Sequence, residues 1–159
     1  MGDRMQNILI LISALGCGLI AGVFFAFSSF IMGAFGKLPP NQGIAAMQSI
    51  NVVVINPVFL GVLFGTAALA LLLGFGAMRH LGDSGAIWIV AGTALYVIGT
   101  VVVTMAFNVP LNNSLAAVDP ASVEGAAVWA DYLQKWTRWN SLRSVAALLS
   151  CAAYIYALI

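Results

Sequence analysis

Four long stretches of the chain carry no charged residue: between Arg4 and Lys37, between Lys37 and Arg79, between Asp83 and Asp119, and after Arg143. A helix needs about 20 apolar residues to cross a bilayer, and each stretch approaches or exceeds that length. The spacing predicts membrane-spanning helices at about 8–35, 57–78, 86–108 and 142–159. Composition agrees, because the 159 residues are 62% hydrophobic and only 7% charged, against about a quarter charged in soluble domains. A soluble fold of this size cannot hide that much apolar surface, whereas lipid solvates it directly. The net charge of +1 supplies no basic face for nucleic acid.

The expectation is an all-α, four-transmembrane-helix bundle, one integral membrane domain over 1–159, with both termini on one side. The first run is longer than a signal-peptide core and lacks a clear small-residue cleavage site, so it is expected to be retained. Glycines spaced by four or seven (Gly18 and Gly22, Gly61 and Gly65, Gly92 and Gly99) mark faces where backbones approach closely, and such faces also favour a homo-oligomer.

Both long connections fall on one membrane face, and each is predicted to hold a short extramembrane helix. In the first, Ile44, Met47 and Ile50 or Val54 recur at helical spacing, and Asn56-Pro57 breaks the chain before the second span. In the second, Asp119 is a candidate N-cap and Pro120 a first helical residue, which starts a helix running toward Trp139. Asp131, Lys135 and Arg138 form its solvated stripe. Trp129, Tyr132, Trp136, Asn140 and Arg143 form another stripe, aimed over the mouth of the bundle. Lys37, Lys135, Arg138 and Arg143 on this face outnumber Arg4 and Arg79 on the other. The positive-inside rule then puts the loop face in the cytoplasm; without Arg138 and Arg143 the count is level.

Polar residues converge on the same face. Tyr96, Thr100, Thr104, Asn108 and Asn112 are spaced by four, a ladder that must look inward in a membrane, although Pro110 disturbs its last step. Asn108 leads that ladder into the polar cluster. Asn112 and Asn113 are also candidate caps for the segment after Pro110. Arg143 sits at the start of the last span, where its rigid fork suits an oxyanion or a carbonyl, although a topogenic or lipid-phosphate role is the alternative. Phe24, Phe25, Phe27, Phe30 and Phe35, with Ser28 and Ser29, supply further lining. Such a pocket suits a flat, apolar, phenolic or quinone-like molecule arriving among lipids.

Other chemistries lack their residues. The one histidine, His80, lies on the opposite face, and Asp119, Glu124 and Asp131 lack metal-ligand spacing, so haem, copper, zinc and di-iron sites are not supported. Cys17 and Cys151 fall at similar depth but form no CxxC, and a buried thiol usually acts as a small hydrophobe. No carboxylate lies within a span to carry protons, and a transporter would need an aqueous path through a far half that is uniformly apolar.

The segments "VFFAFSSFIMGAFGKLP", "MQSINVVVINPVF", "TMAFNVPLNNSLAAVD" and "WTRWNSLR", in this order, resemble the anthrone oxygenase-like family of small four-helix membrane proteins, many of whose bacterial members have no assigned activity. The resemblance implies an oxidoreductase that oxidises an anthrone- or hydroquinone-like phenol with O₂ as co-substrate and without an evident metal or other cofactor. It also implies a multi-pass location in a bacterial inner (plasma) membrane. The family pattern maps onto Asn108, Pro110, Asn112, Trp139, Asn140 and Arg143, and more loosely onto Asn56 and Pro57. On this reading Arg143, Asn108 and Asn140 are the catalytic residues that stabilise the oxyanion. Asn56, Asn112, Trp136, Trp139, Thr104 and Phe27 bind the substrate. The alternative is a non-catalytic membrane protein that binds lipid or a quinone, or packs as a subunit against a partner. That alternative predicts a closed knot of Asn108, Asn112, Asn140 and Arg143 with no cavity.

Overall fold

The computed structural model describes residues 3–159, and every regular element among them is helical. Five continuous helices follow one another: α1 (3–35), α2 (Pro40–Val53), α3 (Pro57–Met78), α4 (Ala86–Ala116) and α5 (Val123–Tyr156). α1 packs on α5 and α3, and α4 packs on α3 and α5, which closes a four-helix bundle. α2 lies over one end, against α5 and the last turns of α4. α1, α3 and α4 are long and apolar enough to cross a membrane, consistent with a multi-pass membrane protein.

Two expected boundaries are corrected. The separate helix of the second connection does not exist: 123–139 and the last span form one 34-residue helix, about 50 Å long. Nothing between Arg138 and Arg143 breaks helical geometry, because Trp139, Asn140, Ser141 and Leu142 all tolerate it. The third helix likewise does not stop at 108 but runs through Pro110 to Ala116. A π turn over Thr104–Asn108, in which the Val109 N–H bonds the Thr104 carbonyl, absorbs the proline. Asn112 and Asn113 therefore lie inside a helix and cap nothing. Ser122, rather than Asp119, caps α5 by accepting from the Gly125 N–H, while Asp119 closes the preceding turn through the Ala121 N–H.

Asn56 behaves as the Pro57 signal suggests. Its extended backbone (φ −128°, ψ 158°) ends α2, and its Oδ1 accepts from the Val58 and Phe59 N–H groups. Such a cap is worth about 1 kcal/mol. At the other end of the bundle the α3–α4 turn closes on Gly85, at φ +83°. There Trp88 meets Tyr156 with ring centroids 4.6 Å apart.

The interior has two apolar clusters. The larger, around Ile20, Phe24, Leu63, Ala70, Tyr96, Ala147 and Tyr154, fills the bundle. The smaller, around Met32, Ile44, Met47, Leu115, Trp129, Tyr132 and Trp136, binds α2 to α4 and α5. A buried polar layer of Thr100, Asn108, Asn140 and Arg143 comes from the parts of α4 and α5 where the two clusters meet. Gly92 and Gly99 place α4 against Tyr154 and Ala146 of α5, whereas Gly22, Gly61 and Gly65 face no close neighbour among the described residues.

Candidate functional site

Arg143 organises the polar layer. The α5 stripe of Trp129, Tyr132, Trp136, Asn140 and Arg143 turns wholly inward, and Arg143 is only 6% exposed. Its Nε and Nη2 donate to Asn140 Oδ1 at 3.1 and 2.8 Å, and its Nη1 donates to Thr104 Oγ1 at 3.0 Å. One face lies on the Phe24 ring, 3.8 Å from its centroid, and Trp136 stands 5.2 Å away. Of the five N–H donors of a guanidinium, three are therefore engaged. No carboxylate neutralises the charge; among the described residues the one ion pair is the exposed Lys135–Asp131, at 2.9 Å.

Asn140 locks this arrangement. Its Nδ2 donates to the Phe24 carbonyl and to Ser28 Oγ, so both amide hydrogens are used. Asn140 consequently holds the arginine but has no donor left for a ligand. Thr104 is similarly committed, since its hydroxyl donates to the Thr100 carbonyl. Asn108 lies behind the wall, donating from Nδ2 to the Trp136 carbonyl, with its buried Oδ1 unpartnered. Asn112 Oδ1 accepts from Tyr132 Oη and Trp136 Nε1, both at 2.8 Å. Burial raises the Tyr132 phenol above its ordinary pKa, which keeps it a donor.

A cavity of about 850 Å³ opens against this layer. Arg143, Trp136, Thr104, Asn112, Phe27 and Phe24 line it, and α2 roofs it with Met47, Gln48 and Asn51. Leu60, Leu63 and Phe64 of α3 supply the opposite wall, about one to two turns inside the Pro57 end. α3 packs closely on 86–96 and less along 97–102, so it diverges from α4 toward the cavity. Five of the nine residues expected at a site thus reach the cavity: Arg143, Asn112, Trp136, Thr104 and Phe27. Asn108 and Asn140 form the layer behind. Asn56 is spent on its cap, its Nδ2 donating to the Val53 carbonyl. Trp139 turns away to stack on Phe107, centroids 3.7 Å apart. Of the first-helix aromatics, Phe25 and Phe30 point outward.

Gln48 and Asn51 are lining residues that were not singled out from the sequence. Their signal was the spacing of four that sets Met47 and Asn51 on one face of α2. The support under the arginine, Phe24 with Ser28, had no signal, because it depends on how α1 meets α5. Cys17 and Cys151 are free thiols, and Cys17 packs against Ser150 Oγ at 3.4 Å, remote in the bundle.

A family model described as anthrone oxygenase matches residues 57–153, more than half of the chain. The chain belongs to that family. Neither a curated protein nor a solved structure matches it. The anthrone oxygenase match contains α3, α4 and nearly all of α5, hence Thr104, Asn108, Asn112, Trp136, Asn140 and Arg143. Phe24, Phe27, Ser28 and the roof helix α2 precede it.

Proposed function

We propose that the cavity binds an anthrone- or hydroquinone-like phenol and promotes its oxidation by O₂, with Arg143 stabilising the phenolate. The supporting observation is the guanidinium itself, buried on a cavity wall with no carboxylate partner. An uncompensated buried cation costs several kcal/mol, and an anionic ligand oxygen supplies the missing charge. Such a site favours the ionised phenol over the neutral one and so lowers the substrate's own pKa. The electron-rich anion passes an electron to O₂. In an anthrone the net change converts the CH₂ opposite the carbonyl to C=O, with one oxygen atom retained and the other leaving as water. Trp136 and Phe27, with ring centroids 5.7 Å apart, offer aromatic surface to the substrate.

On this reading the C-terminal half of α5 is the fourth membrane span, in a bacterial plasma membrane, and Asn140 and Asn108 act by positioning. The test is O₂ uptake and quinone formation from an anthrone by the purified protein, wild type against Arg143→Gln. A fall of about 100-fold is expected for loss of one preorganised oxyanion donor, and equal rates overturn the assignment. A second reading, a carrier of quinones or lipids without catalysis, draws support from one feature: among the described residues no histidine or carboxylate lines the cavity to take the proton. It predicts tight binding with O₂ uptake at the buffer rate.

A further inference from the structure

Beyond the oxyanion, the cavity wall carries a second, oriented donor. Asn112 is fixed by what its oxygen does. An indole N–H only donates, so the atom 2.8 Å from Trp136 Nε1 has to be the amide oxygen, and Tyr132 Oη donates to it as well. The amide orientation is thereby determined by chemistry rather than by assignment. Asn112 lines the cavity, and with Oδ1 turned to α5 its Nδ2 is left to the cavity; among the described residues nothing accepts from it. Asn51, also on the lining, carries a buried Nδ2 without a partner. Besides Asn51, the wall therefore offers unpaired donors at two places, the Arg143 fork and the Asn112 amide. Trp136 joins them, its ring 5.2 Å from the guanidinium and its nitrogen on Asn112.

We infer that Asn112 is a specificity residue that selects ligands bearing a second acceptor oxygen, a carbonyl or ether remote from the oxygen held by Arg143. The inference rests on the proposed phenol site and assigns to Asn112 the recognition of the second oxygen of an anthrone- or hydroquinone-like phenol. Mono-oxygenated ligands of equal size leave the Asn112 amide desolvated and unpaired, which costs more than the bond itself gains.

The test compares two tricyclic probes, 1-hydroxyanthracene and 1-hydroxy-9,10-anthraquinone, by quenching of tryptophan fluorescence in detergent. The wild type is expected to bind the quinone about five- to tenfold more tightly, the size of one neutral hydrogen bond. Asn112→Asp keeps the acceptor for Tyr132 and Trp136 while removing the donor, and Asn112→Leu removes both; each should bring the ratio between probes to about one. Arg143→Gln should weaken both probes while leaving the ratio. A wild-type ratio near one, with both probes still dependent on Arg143, overturns the role of Asn112 and leaves the phenol site standing. A preference that survives in Asn112→Asp also overturns it. If neither probe binds the wild type, the phenol site falls and this inference falls with it.

Discussion

The charge balance around Arg143 turns on one neighbour. Asn140 gives its oxygen to the guanidinium and both amide hydrogens to α1. Asn140→Leu strips the arginine of two bonds and should destabilise the protein by about 2–3 kcal/mol, read as a lower melting temperature in detergent. Asn140→Asp has the opposite character. It places a carboxylate within about 3 Å of the guanidinium, neutralises the site, and should lower phenolate affinity at least tenfold while melting higher than Asn140→Leu. If Asn140→Asp binds phenols as well as the wild type, the unpaired charge is not what holds them. Sequence alone identified Arg143 and Asn140 as one stripe, because period 3.6 needs no tertiary knowledge. It paired the Asn140 amide with a ligand, whereas in the fold both amide hydrogens go to α1, since an amide in a list of polar residues does not say which of its ends is already occupied.

The helices show why the polar ladder of α4 works. In a plain α-helix a step of four overshoots one turn by about 40°, so four steps from Tyr96 to Asn112 drift by about 160°. Tyr96 and Asn112 would then point to nearly opposite sides. The wider π turns at Val97–Val102 and Thr104–Asn108 undershoot instead, and the two errors offset each other. The ladder therefore stays directed inward, with Thr100, Asn108 and Asn112 all bonded to α5. Pro110 was read as a disturbance, but its missing N–H is what makes a π turn tolerable. Pro110→Ala restores a donor that pulls 104–108 back toward α geometry. Unchanged helix content by circular dichroism, with at least tenfold weaker ligand binding, is the expected result. The glycines divide as their surroundings do. Gly99→Leu drives a side chain into Ala146, whose Cβ lies only 2.6 Å from where the first added atom would sit, whereas Gly61→Leu meets nothing. The former should lower the melting temperature and the latter leave it unchanged. Spacing marked both as packing faces; only the fold shows which one has a partner inside the chain.

At the scale of the whole molecule, α5 is about 50 Å long against a hydrocarbon core of about 30 Å. On the four-span reading the half carrying Asp131, Lys135 and Arg138 therefore stands clear of the lipid, beside the roof helix α2. With Cys17 and Cys151 replaced, single cysteines at Lys37 and Arg138 should label with an impermeant maleimide from one side of a sealed vesicle, and a cysteine at Asp83 from the other. A cysteine at Ile159 should label from the same side as Asp83, and labelling of the Arg138 and Ile159 positions from the same side would remove the fourth span. The all-helical fold and the three long apolar spans α1, α3 and α4 were legible because lipid solvation leaves so plain a mark on composition. The continuity of α5 was not, since a change from water to lipid alters residue type without altering helical geometry. That change has a consequence for biogenesis. A segment with a charge near its entrance partitions poorly by itself, and the oxygen of Thr104, the ring and carbonyl of Phe24 and the hydroxyl of Ser28 that receive Arg143 and Asn140 all belong to helices made earlier. On the four-span reading, insertion of α5 is thus templated by α1 and α4, and a chain whose α1 is mispaired should leave its C-terminus stranded at the membrane surface.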